Sequence, residues 1–221
     1  MPLAVRLRSA VCLLGRYPAL AGADLDVGDA EVVLLSGANG AGKTTLLRAV
    51  AGLVPLHSGA GEVLGHDLTR DRRGARRRLA LVGHETFCYD DLTVVENLRF
   101  ASRASGRPLE AADEAIERTG LGRQRDVTHG RLSAGQRRRL ALAVALTRDP
   151  RLLLLDEPHA GLDAGGREVV DAVIASAPSQ GRAVILASHE LERARALAGR
   201  EVVLEAGRVR AGVTEPELAR A

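Results

Sequence analysis

EVVLLSGANGAGKTT spans residues 31–45, and its reading decides the fold. Residues 31–36 form a run dominated by Val and Leu, as expected for a β-strand covered on both faces. A glycine-rich turn follows, and then a helical pattern over 43–51. The spacing of Gly37 and of Gly42-Lys43-Thr44 is that of a phosphate-binding loop, and the strand before it and the helix after it are the context such a loop requires. Glycines allow backbone N–H groups to turn inward around phosphate oxygens, and a helix N-terminus adds a favourable dipole. The chemistry suits a nucleoside triphosphate. Gly37, Ala38, Asn39, Gly40, Ala41 and Gly42 would form the cradle, and Thr45 would close it at the first helical turn. Lys43 would reach the β- and γ-phosphates, and the Thr44 hydroxyl would ligate Mg²⁺. Of the thirty-one Lys and Arg side chains, Lys43 is the one lysine. A compact ammonium does what a planar guanidinium cannot.

Ligands of open α/β sheets lie beyond the carboxyl ends of the strands, so other strand ends test the reading. The apolar run 151–155 ends in Asp156-Glu157-Pro158. Asp156 is placed to hold Mg²⁺ and Glu157 to orient or deprotonate an attacking water. The run 183–187 ends in Ser188-His189, where the histidine would hydrogen-bond the γ-phosphate. A strand over 78–82 ends in Gly83-His84-Glu85. Four strands would thus deliver polar chemistry to one side of the sheet. Alternation also predicts strands over 3–14, 24–27, 61–64, 201–205 and 208–211, and helices are expected over 167–177 and 190–197.

Residues 85–146 read differently. Thr93-x-x-Glu96 is a capping box, a second helix covers 109–119 after Pro108, and a third runs over 133–147. The third helix starts in Leu132-Ser133-Ala134-Gly135-Gln136, where Ser133 and Gln136 form another capping box. Its free N–H groups and the Ser133 hydroxyl make a second anion site. Because the helical stretch separates this site from Lys43, a head-to-tail pair of chains, with nucleotide between them, would use both. The pattern as a whole is a mostly parallel α/β core with a helical insertion.

Composition narrows the classes. The chain has 221 residues, 46% hydrophobic and 27% charged, with a net charge of +3. No apolar stretch approaches the ~18 residues of a membrane span, and the first eighteen residues lack the pattern of a secretory signal. Two cysteines build no disulfide framework. The arginines at 70, 72, 73, 76, 77 and 78, beside Asp67 and Asp71, read as a solvated loop. Aromatics make up 2%, too few for the stacking platforms of single-stranded nucleic acid, and no nucleic-acid partner is expected.

Taken together, these residues resemble the ATP-binding cassette (ABC) ATPases over nearly the whole chain. The family's motifs fall in order: Walker A at 37–45, the signature at 132–136, Walker B at 152–157, the D-loop at 160–163 and the switch histidine at His189. The resemblance implies a P-loop NTPase (RecA-like) core with an antiparallel β subdomain and a helical insertion. A single domain would cover 1–221, with core and β subdomain at 1–84 and 149–221 and the helical subdomain at 85–148. It implies ATP and Mg²⁺ as ligands, Tyr17 stacking on adenine, and contacts from Ser133, Gly135, Gln136 and Asp163 across an ATP-sandwich dimer. It further implies integral membrane subunits as partners and a peripheral place on the cytoplasmic face of the membrane.

The family usually has glutamine at the end of the strand before the insertion, and here His84 stands there. With the run Leu92 to Phe100 and the LSAGQ signature, this is similar to the heme-exporter ATP-binding subunits of cytochrome c biogenesis. His84 is expected to relay nucleotide state to the helical insertion, not to act as general base. A second departure is Ala30, where relatives often have glycine; little effect is expected. An exporter of a drug, lipid or polysaccharide would use the same engine. A soluble ABC ATPase of DNA repair or Fe–S assembly is a further alternative, although no sustained heptads of a long coiled coil occur.

Overall fold

A computed structural model of the chain describes residues 2–83 and 85–210. The chain runs through β1 (Leu3–Leu14), β2 (Tyr17–Gly28), β3 (Val32–Ser36), α1 (Lys43–Val50), β4 (Ser58–Val63), β5 (His66–Asp67), α2 (Arg72–Arg76) and β6 (Leu79–Val82). It continues through the helices α3 (Val94–Ala104), α4 (Glu110–Arg118) and α5 (Ala134–Thr147). The last part alternates again: β7 (Leu152–Asp156), α6 (Ala164–Ser176), β8 (Ala183–Ala187), α7 (Leu191–Leu197), β9 (Arg200–Glu205) and β10 (Arg208–Arg210).

The six-stranded sheet has the order β10-β9-β3-β8-β7-β6. All neighbours are parallel except β10, which turns back on β9 as an antiparallel edge. Strands β3, β7 and β8 are buried at every position, which is why they read as unbroken apolar runs. Alternate side chains face opposite sides of the sheet. Val33, Leu35, Leu154 and Ile185 pack toward α1 and the second sheet, with Leu46, Leu47, Leu7 and Leu20. Leu34, Leu153, Leu155 and Leu186 pack on the other face against α5, α6 and α7. The second sheet, β2-β1-β4-β5, is antiparallel throughout. Helices α3, α4 and α5 enclose a core of their own around Leu98, Ile116, Leu121 and Leu140.

Most expected elements form within a residue or two of their predicted ends. Strand β2 begins at Tyr17, seven residues before the predicted 24, because Pro18, Gly22 and three alanines carry no alternation while backbone pairing to β1 still holds. Strand β4 begins at Ser58 for a related reason. A Cβ on Gly59 would lie 2.3 Å from the Ser9 carbonyl oxygen, so that approach admits glycine alone. The arginine cluster is not all loop: Asp71 caps α2 by accepting from Gly74 N at 2.8 Å. The last predicted strand ends at Arg210, and Ala211 lies outside the described residues. Ala30 has φ 57°, a left-handed turn that glycine fits better than alanine does.

Candidate active site at the carboxyl edge of the sheet

The loop after β3 is shaped by two close approaches. Gly37 (φ 139°) and Gly42 (φ 107°) are left-handed, and a Cβ on them would lie 2.1 Å from the Leu204 carbonyl oxygen and 2.5 Å from that of Ala19. Helix α1 has Gly42 as its N-cap, with no side-chain hydrogen bond and no acidic residue in the first turn. Its leading N–H groups are therefore open to an anion. Lys43 is buried, and its Nζ donates to the carbonyls of Gly37 at 2.7 Å and Ala38 at 3.1 Å. Ala38, Asn39 and Gly40 form the exposed tip, while Ala41 and Thr45 are buried beneath it.

Strand β7 brings the carboxylates. Thr44 Oγ1 donates to Asp156 Oδ2 at 2.8 Å, although 112 positions separate them. Glu157 has φ 53°, a left-handed conformation that turns it away from the strand. Its Oε2 accepts from His189 N at 3.0 Å, and its Oε1 lies 3.4 Å from His189 Nε2. Asn39, Gly40, Lys43, Thr44, Asp156, Glu157 and His189 all line one cavity of about 290 Å³, together with Leu14 and Ala19 of the antiparallel sheet. The donor set fits Mg²⁺: one hydroxyl and one carboxylate, the sparse protein share usual when phosphate and water complete the shell. Among the described residues no group of three or more His, Cys, Asp or Glu forms a metal cage of its own.

The capping box at Ser133 forms as expected. Ser133 Oγ accepts from Gln136 N at 3.2 Å, and Gln136 Oε1 accepts from Ser133 N at 2.9 Å. Ser133 is exposed and, with Gly135 and Gln136, takes no part in lining the Lys43 cavity. Gly135 instead packs beside the Gly161 carbonyl and Leu162. Asp163 caps α6, accepting from Gly166 N at 2.8 Å. Tyr17 is 81% exposed at the hairpin opposite Leu14, and of the two only Leu14 lines the Lys43 cavity. His84 lies outside the described residues.

Two features escape a reading of the sequence. Arg138, on α5, is buried and donates to three backbone carbonyls, those of Gly83, Asp156 and Glu157. Its signal is its spacing: it falls on the same helix stripe as Ala141, Leu142 and Ala145, a core face. The second is His159, 1% exposed, whose Nε2 lies 2.9 Å from Asp171 Oδ1. Arg193 binds the other oxygen of Asp171. Burial holds the His159 imidazole below its ordinary pKa, against the pull of Asp171.

The sequence pattern of the ABC transporter family matches residues 20–160. The chain is 40% identical over 181 residues to the cytochrome c biogenesis ATP-binding export protein CcmA of Bordetella bronchiseptica, covering 80% of each chain. It is 39% identical over 208 residues to the daunorubicin resistance ATP-binding protein DrrA3 of Streptomyces coeruleorubidus, covering 92% of this chain and 66% of that one. Among solved structures, an ATP-binding subunit of an ABC transporter superposes with a TM-score of 0.88 at 26% identity, over 96% of this chain and 90% of that one. A dimeric ATP-binding cassette in a post-hydrolysis state, bound to ADP and Pi, has the same fold, with a TM-score of 0.87 at 23% identity over 95% and 98%. With the phosphate loop, the carboxylate strand end and the capped signature helix arranged as described, the chain belongs to the ABC transporter family, as one of its ATP-binding ATPase cassettes.

Proposed function

We propose that this cassette powers an ABC exporter that delivers heme for cytochrome c biogenesis. The observation that carries the ATPase part is the convergence of Lys43, Thr44, Asp156, Glu157 and His189 on one cavity. Lys43 steadies the β- and γ-phosphates, and Thr44 and Asp156 hold Mg²⁺, which supplies charge neutralisation at the phosphates. Glu157 orients the attacking water and accepts its proton. His189, whose backbone N–H donates to Glu157, answers to the γ-phosphate and steadies the carboxylate. Ser133, Gly135 and Gln136 of a second copy close the nucleotide from the other side, and Tyr17 stacks on the base. Membrane-embedded subunits supply the path for cargo, since among the described residues no helix is long and apolar enough to cross a membrane. The cassette then sits peripherally on the cytoplasmic face.

Heme as cargo is supported by the histidine at position 84, the LSAGQ form of the signature and the CcmA relative. A drug exporter is the second reading, favoured by the DrrA3 relative at nearly the same identity. A strain whose own copy carries Lys43→Ala separates them. Loss of heme-stained c-type cytochromes with unchanged anthracycline tolerance supports heme delivery. Normal cytochromes with heightened drug sensitivity contradict it.

A further inference from the structure

We propose that Arg138 is a positioning residue for hydrolysis: its guanidinium, carried on the signature helix, holds the backbone of Glu157 so that the carboxylate is presented only when that helix is correctly seated. The inference rests on the reading of Glu157 as the group that handles the attacking water.

Arg138 occupies a core position of α5, where an apolar side chain would satisfy packing. A buried cation is costly unless its donors are met. Among the described residues Arg138 has no ion-pair partner within 4.0 Å; carbonyl dipoles take the place of water at its two terminal nitrogens, while its buried Nε has no partner. The three carbonyls are not neighbours along one element. That of Asp156 ends β7 and that of Glu157 follows it, and that of Gly83 follows β6 immediately before position 84. One planar fork therefore ties the first turns of α5 to two strand ends at the edge of the cavity.

Glu157 needs this support. A non-glycine residue at φ 53° persists only where its surroundings over-determine it. Its N–H donates to the Ala187 carbonyl at 2.8 Å, and its own carbonyl accepts from Ala160 N at 3.2 Å and from Arg138. Without the guanidinium, the carbonyl loses its anchor to the helical segment, and the peptide can relax toward an extended conformation. The carboxylate would then leave His189. A displaced α5 would have the same effect, so Arg138 makes hydrolysis depend on where the signature helix sits.

The test uses the full chain with Arg138→Met, which keeps length and removes every donor, and Arg138→Lys, which keeps charge and part of the donation. The kcat and KM for ATP, binding of a fluorescent ATP analogue and the thermal midpoint are measured in the wild-type and Glu157→Gln backgrounds. The expected result for Arg138→Met is a kcat about tenfold lower or more, part of the roughly 10²–10⁴-fold that a positioned base contributes, at nearly unchanged KM and affinity. Arg138→Lys should recover part of the rate. In the Glu157→Gln background the same change should do little more, since groups acting as one unit are non-additive. Should Arg138→Met not fold, Arg138→Lys decides by the same kcat-against-KM split. A wild-type kcat per bound nucleotide, or an equal loss in both backgrounds, would overturn the proposal. Normal hydrolysis by Glu157→Gln alone would instead overturn the role given to Glu157.

Discussion

Lys43→Arg preserves charge and changes shape alone, so it isolates what the single lysine does. The Lys43 side chain is 8% exposed, and its Nζ sits 2.7 and 3.1 Å from two loop carbonyls. That spacing suits one small ammonium between the loop backbone and a phosphate. A guanidinium spreads its donors over a plane and cannot enter the same gap without pushing the loop outward, where Gly37 already touches the Leu204 carbonyl. The loss is that of one preorganised charged donor, about 2.7–4 kcal/mol of transition-state stabilisation. At 1.36 kcal/mol per tenfold, kcat/KM should fall by about 10²–10³. Stability should change by about 1 kcal/mol at most, because the two carbonyls are near solvent and can rehydrate. Phosphate release over a range of ATP concentrations gives the rate, and a thermal scan checks the fold. Turnover within about threefold of wild type, roughly 0.65 kcal/mol, would refute the placement of Lys43 at the phosphates.

Three further outcomes follow from particular residues. Ala30→Gly should stabilise the protein by about 0.5–1 kcal/mol, because relief of a left-handed alanine outweighs the added chain entropy; a rise of about 1–4 °C in Tm checks it. His159 is held below its ordinary pKa by burial, so the unfolded chain binds its proton first as pH falls through about 6.5. Stability is thus fully present above that value and declines below it. Urea midpoints at pH 7 and 5.5 should converge in His159→Gln relative to wild type; an unchanged difference contradicts the assignment. Burial pushes the Cys88 thiol up to about 11, so about 0.1% is thiolate at pH 8. Ellman's reagent should label Cys88 slowly there and about tenfold faster per pH unit up to pH 10; prompt labelling at pH 8 would be the contrary result.

What the sequence made legible is what local chemistry dictates. The phosphate loop, its strand and its helix are contiguous, and the unbroken apolar runs of β3, β7 and β8 follow from burial on both faces. The two capping boxes, Thr93 with Glu96 and Ser133 with Gln136, form as written. The antiparallel sheet was harder to read, because small residues at close backbone approaches, such as Gly59 against Ser9, replace alternation. Arg138 was hidden for a different reason. In an arginine-rich chain one more arginine reads as surface, and its carbonyl partners lie 55, 18 and 19 positions away, brought near only by the fold. The left-handed turn at Ala30 is a conformational fact that residue identity does not announce.

In the proposed ATP sandwich, nucleotide is enclosed between the Lys43 loop of one copy and the Ser133 helix of another. Light scattering behind a sizing column, on Glu157→Gln with Mg²⁺-ATP, tests it most directly. The expected result is twice the monomer mass with ATP, the monomer mass without it, and loss of the ATP-dependent dimer when Ser133→Arg is added. A Glu157→Gln protein that binds ATP yet stays monomeric at high concentration, or that pairs equally well with Ser133→Arg in place, would contradict it.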